Sequence, residues 1–210
     1  MNRSIWLSIL SILAVVGLVG GLTFAYFSDQ GTSTNNVFNS GDLNMKLANN
    51  GDSYTDNVTG TWGLASDPGD TFTGDLKIKN TGSVPAHHIE LKFTNVVVNG
   101  PTESPGFDPT TPLDTVIEIT TFGWDSDGNG TLDVDLLPGV TQTNGNGIID
   151  LDDLENQSVD DFDNLLFTDQ TADHILRIAG RLEPDLTVNE HQSDSVTMSL
   201  AVTMNQDTSQ

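Results

Sequence analysis

The chain has 210 residues, 30 acids against 7 bases, and no cysteine. A net charge of −23 excludes a nucleic-acid binder, whose phosphate partner needs a basic surface, and disfavours anionic membrane surfaces. With no disulfide available, an exported domain of this length must be held by packing, bound ions or assembly.

From Ser4 to Ser28 there is no charged residue, and Ile5 to Leu22 is nearly all apolar, long enough to span a bilayer. Arg3 supplies a positive start, and Thr23-Phe24-Ala25 places small residues three and one before a cut. This pattern predicts a signal peptide over residues 1–25, cut between Ala25 and Tyr26 by signal peptidase. An uncleaved anchor is the alternative, and the leader is then the sole membrane attachment. A type IV pilin leader is disfavoured, because Ser4 to Ser8 contains no Glu after the expected cut. Every acid lies beyond position 25, so the mature part carries 6 bases against 30 acids, a net −24. Such charge suits cations, a high-salt setting or plain solubility.

Residues 26–42 read as an extended polar arm, and Leu43, Met45 and Leu47 begin the alternation of a first strand. Asn49 to Asp70 is rich in Asn, Gly, Asp and Thr, a loop or weak hairpin with Trp62 and Leu64 as buried points. Phe72, Gly74, Leu76 and Ile78 alternate through Thr71–Lys79, and Asn80-Thr81-Gly82-Ser83 turns the chain. Ile89, Leu91 and Phe93 give the next strand, running on to Val98. Pro101, Pro105, Pro109 and Pro112 punctuate an exposed loop. Thr115–Phe122 reads as a strand with Ile117 and Ile119 on one side. Residues 124–172 form an acidic insertion. In it, Val159, Phe162, Leu165 and Leu166 fall at helical spacing over Ser158–Thr168, with Ser158 as N-cap. His174–Leu182 and Ser195–Met204 return to strand. The last shows Val196, Met198, Leu200, Val202 and Met204 in strict alternation. Residues 43–210 are therefore expected to be one β-domain.

Two loops in the insertion carry metal-ligand spacing. In the first, Asp125, Asp127, Asn129 and Asp133 put side-chain oxygens at positions 1, 3, 5 and 9 of an EF-hand-like calcium loop. Gly130 makes the sharp turn and Thr131 offers its carbonyl. Leu136 stands where a bidentate Glu belongs, so Asp135 or a distant acid must complete the set. The second aligns Gln142, Asn144, Asn146, Ile148 through its carbonyl, Asp150, and Asp153 at position 12. Calcium is the expected ion, ordering the insertion or bridging acidic subunits, with the second loop lending carboxylates to the first. Ion-free Asp/Asn/Gly turns are the alternative.

Four segments follow one another in a recognisable order. They are Thr23-Phe24-Ala25-Tyr26-Phe27-Ser28-Asp29, Val37-Phe38-Asn39-Ser40-Gly41-Asp42-Leu43, Asp67-Pro68-Gly69-Asp70, and Leu76-Lys77-Ile78-Lys79-Asn80-Thr81-Gly82-Ser83. The order resembles the TasA/camelysin family of exported biofilm-fibre proteins and the related archaeal bundling pilins. The resemblance covers residues 20–95 well and the remainder by strand pattern. It implies a mainly β, jelly-roll-like β-sandwich with a short helical, acidic-loop insertion and an N-terminal donor strand. After leader removal, Tyr26 or Phe27 at one end and Val37 or Phe38 at the other would anchor the arm in the next subunit. Thr32 and Thr34 would lie between them on one face. Edge pairing of that kind is head-to-tail and grows an open filament of identical chains. Between Phe27 and Val37 the arm has no large apolar residue, and a flexible linker is the other reading.

The family includes a protein labelled a metalloprotease. There is no His-Glu-x-x-His, and His87 and His88 are expected on opposite faces of a strand, with Glu90 close by. No nucleophile elbow or P-loop is present. The expectation is a non-enzymatic, secreted filament subunit at the cell surface or in a matrix. A membrane-anchored or secreted monomeric module that binds a partner with calcium is the alternative.

Overall fold

The computed structural model describes residues 3, 6, 7, 9–13, 41–59, 67–99, 111–157, 165–186, 191 and 194–207. Ala25, Tyr26, the whole arm from Phe27 to Phe38, and Trp62 and Leu64 lie outside the described residues. The chain divides into two compact units, Met1–Ser40 and Gly41–Gln210. In the first, the described positions are helical, and Trp6, Leu7, Ile9, Leu10, Ile12 and Leu13 are exposed. Among the described residues no helix is long and apolar enough to cross a membrane.

The second unit is a mainly β sandwich, as expected. Its strands are β1 Met45–Asn49, β2 Thr71–Asn80, β3 His88–Val98, β4 Ile117–Trp124, β5 Val134–Asp135, β6 Leu165–Leu166, β7 His174–Leu182 and β8 Ser195–Asn205. One sheet has the order β1-β2-β7-β4-β5 and the other β6-β3-β8, with all pairs antiparallel. Every connection crosses from one sheet to the other except β1–β2 and β4–β5.

Alternation decides which residues meet in the middle. On β2, Leu76 and Ile78 turn inward; on β7, Leu176, Ile178 and Leu182; on β3, Ile89, Leu91 and Phe93. The rings of Phe93 and Phe122, one from each sheet, meet edge to face at 5.7 Å. Trp124 is fully buried, and its indole N–H donates to the Leu166 carbonyl at 2.8 Å, tying β4 to the opposite sheet. The period-2 reading of β4 breaks once. Ile117 and Ile119 are buried, and so are Phe122 and Trp124, which has the opposite parity. The register shift between Ile119 and Thr121 leaves Thr120 as the extra residue of a bulge, and this resets the inward face. Gly180 sits opposite. A Cβ there would lie 2.2 Å from the Glu118 carbonyl oxygen, so only glycine admits the close approach.

Two expectations are corrected. The stretch Thr115–Phe122 begins with a 3-10 turn, Leu113–Val116, and the strand runs on to Trp124. A short helix, α1, lies at Leu151–Glu155, and the described end of the stretch expected to be helical, Leu165–Thr168, is not helix. Leu165 and Leu166 instead pair with Ile89 and His88 as β6, while 158–164 lie outside the described residues. Asp150 and Asp153 frame the start of α1 through a reciprocal capping box.

The sheet edges differ. Leu47 of β1 exchanges two backbone hydrogen bonds with Thr55, which covers that edge locally. The eleven residues of β8 pair with β3 on one side, and among the described residues no strand pairs with the other.

Candidate metal centre in the acidic loops

The first loop leaves β4 at Trp124 and is pinned to β7 by the Asp125 amide, which donates to Ile175 O at 2.9 Å. Asp125 is buried. Its Oδ1 accepts from the amides of Gly128 and Asn129 at 2.8 and 3.2 Å, and its Oδ2 from Gly130 at 2.8 Å. Gly128 and Gly130 hold φ of +70° and +88°, which lets those amides turn inward. Asp127 accepts from the amide and side chain of Asn129, whose Oδ1 accepts from Thr131 N at 2.8 Å. Asp133 turns to Ser126, accepting from its amide at 2.8 Å and its hydroxyl at 2.6 Å. Partial burial raises the Asp133 carboxyl's pKa, and the two Ser126 bonds outweigh it, leaving a net lowering. The loop is thus braced by its own amides around Asp125.

Its floor is His174, fully buried, with one ring nitrogen 2.9 Å from Asp125 O and the other 2.7 Å from Asp169 O. The imidazole stacks on Trp124 at 5.4 Å and lies 3.7 Å from the Phe167 ring centre.

The second loop attaches at the other end of β4. Ile119 N donates to Ile149 O at 2.7 Å, and Glu118 bridges to Asp150. The first loop joins β4 at Trp124, so the two lie roughly 20 Å apart along the strand. The expectation that the second lends carboxylates to the first is corrected by that separation. Gln142 Nε2 donates to Ile148 O at 2.6 Å and approaches Asn146 Oδ1 at 3.4 Å, drawing positions 1, 5 and 7 of the loop together. The amide groups of Asn144 and Asn146 converge on Asp150 Oδ2 at 2.8 and 2.6 Å. Asp153 is spoken for: Oδ1 accepts from Thr143 N and Oγ1, and Oδ2 from Asp150 N. Asp150, Asp152 and Asp153 each offer a carboxylate oxygen, and these lie within 4.8 Å of one another. Burial is the larger influence on Asp150 and pushes its carboxyl up, against the bonds from Asn144, Asp153 and Asn146.

Sequence spacing missed Asp152 and Asp114. Asp114 stands in the 3-10 turn before β4, 36 residues upstream of Asp150. It is 6% exposed, and its Oδ1 is buried without a hydrogen-bond partner. Burial and the negative Asp152 push its carboxyl up to about 6. A lone Asp in a loop gives no sequence signal; only the β4–Asp150 bridge brings it here.

The histidines do not build a zinc peptidase site. His87 precedes β3, so the opposite-face rule does not govern it, and its Nδ1 lies 3.3 Å from His88 Nδ1. Glu90 faces the other nitrogen of His88, Nε2, at 3.6 Å, so the three groups share no common point. Both nitrogens of His174 face carbonyls, and His191 Nε2 is 2.9 Å from Thr111 O. The Asp150 cluster holds oxygen donors alone, which suit a hard cation rather than a catalytic zinc.

Fold and loops together define a class: an acidic antiparallel sandwich bearing oxygen-rich Asp/Asn/Gly loops. A family model described as camelysin metallo-endopeptidase matches residues 1–210, and the chain belongs to that family. No curated protein matches the chain.

Proposed function

We propose that the protein is a secreted structural subunit of an extracellular filament, a pilus or biofilm fibre. Its mature N-terminal segment, Tyr26 to Phe38, would add a strand to the sheet of the next copy. Family membership over the whole chain supports an extracellular or surface-associated location. The observation that carries the reading is β8. It is an eleven-residue edge strand whose outer N–H and C=O groups have no strand partner among the described residues. Long unpaired edges invite strand addition, and each backbone bond nets about 0.5–1.5 kcal/mol, so a full strand totals several kcal/mol. In this reading the partner is another copy of the chain, calcium on the acidic loops is a structural aid, and the chain is not an enzyme.

The test is negative-stain electron microscopy of protein beginning at Tyr26 beside protein beginning at Val37. Filaments from the longer form alone support the reading; monomers from both, with calcium present, overturn it.

The family's description favours a second reading, a metallo-endopeptidase. The separated donors of His87, His88 and Glu90 weigh against it. Proteolysis by pure protein that a zinc chelator abolishes would establish it.

A further inference from the structure

The sequence holds three Asn-x-Ser/Thr triplets, Asn57-Val58-Thr59, Asn129-Gly130-Thr131 and Asn156-Gln157-Ser158. Such a triplet is the acceptor pattern for an N-linked glycan, provided its middle residue is not proline. By itself it carries little, because three residues recur by chance. The fold separates the three. A glycan is joined to the side-chain amide nitrogen, so that amide has to be exposed and released from other hydrogen bonds. The hydroxyl two residues on, which the pattern requires, has to be exposed beside it.

Asn129 lies inside the first acidic loop with both ends of its amide in use. Its Nδ2 donates to Asp127 at 3.0 Å, and its Oδ1 accepts from the Thr131 amide at 2.8 Å. Gly130 between them holds φ of +88°, which turns this triplet rather than extending it. Asn156 closes α1. Its Nδ2 donates to both the carbonyl and the carboxylate of Asp152, each at 2.9 Å, and Gln157 after it is buried. Asn57 differs on each point. Asn57 and Thr59 are exposed, while Val58 between them is half-buried and packs against the core. Anchoring the middle residue turns its two neighbours toward solvent, as alternation does in any extended stretch. Among the described residues no hydrogen bond reaches the Asn57 amide or the Thr59 hydroxyl. Only their carbonyls are engaged, by Thr55 Oγ1 at 2.6 Å and Asn49 Nδ2 at 3.0 Å. Those bonds, with the Leu47–Thr55 pair, hold the triplet's backbone beside β1 and leave both side chains out.

We infer that Asn57 is an N-glycosylation site. The co-substrate is an oligosaccharide carried on a polyprenyl phosphate. The Asn57 nitrogen attacks C1 of the first sugar; the N–C1 bond forms as the C1–O bond to phosphate breaks. The polyprenyl phosphate leaves with the bonding pair, the nitrogen gives one proton to a base of the transferase, and nothing is oxidised or reduced. The glycan then stands against the outer edge of β1, a bulky hydrated cover on an edge that could otherwise take a further strand. The inference rests on the extracellular placement proposed above and is independent of filament growth.

The test is peptide mass spectrometry on protein collected from outside the cells that produce it. Cleavage before each Asp releases residues 56–66 as one peptide. This peptide should carry an added sugar mass that fragmentation places on Asn57, and the peptides holding Asn129 and Asn156 should be bare. Thr59→Ala, which keeps Asn57 and alters an exposed side chain, should abolish the sugar mass, and Thr59→Ser should restore it. Exported protein with a bare Asn57 overturns the site and leaves the extracellular placement standing. Sugar on Asn129 or Asn156 in place of Asn57 also overturns it, as does unchanged occupancy in Thr59→Ala. Should that variant fail to be exported, the parent's peptide decides. Protein found only inside the cells overturns the placement, and the site with it.

Discussion

Replacing Asp114 by Asn should stabilise the ion-free protein at neutral pH. Burial and the charges of Asp152, Asp150 and Glu155 raise this carboxyl from 3.8 to about 6 in the folded state. The folded protein therefore holds a proton that the unfolded chain has released, between about pH 4 and pH 6. Stability contributed by this group is present below pH 4 and is lost as pH rises through 6. A shift of about two units at about 1.4 kcal/mol each makes the loss about 3 kcal/mol at pH 7.5. Asparagine keeps the shape, carries no charge and escapes the loss. Urea unfolding in EDTA, followed by circular dichroism, measures the difference. The variant should exceed the parent by about 2–3 kcal/mol at pH 7.5, and the gap should close near pH 4. Burial also raises Asp150, but that contribution is common to both proteins and cancels in first order. Equal or lower stability of the variant at pH 7.5 would refute the reasoning, as would a gap that does not shrink in acid.

Two further perturbations test the sandwich itself. Gly180→Ala should lower stability by more than about 2 kcal/mol, because its methyl meets the Glu118 carbonyl and the Phe72 ring at the bulge; thermal unfolding reads the loss. Trp124→Phe should cost about 2 kcal/mol or more, since it removes the bond to Leu166 and leaves a gap beside His174; urea midpoints measure it.

Much of this architecture is legible one residue at a time. Alternation along β2, β3, β7 and β8 marks the inward faces, because a strand that buries one side must repeat every second residue. The Asp/Asn/Gly spacing marks both loops, because those side chains and positive-φ glycines bend backbone around an oxygen-lined hollow. Local signals weaken where neighbours distant in sequence decide. Leu165 and Leu166 have helical spacing, yet they meet the edge of β3 and the Trp124 indole and become strand. The parity of β4 changes at Thr120 because β7 offers a glycine there, a fact no window around Thr120 contains. Likewise Asp125 and Asp127 announce themselves, whereas Asp114 is an ordinary aspartate until β4 pairs with Asp150. Sequence by itself determined the long alternating strands, the acidic loops and the charge, since each follows from periodicity or composition within a few residues. Tertiary structure alone decided which carboxylates face one another and which edge has no strand partner among the described residues, because both depend on contacts between residues far apart in the chain.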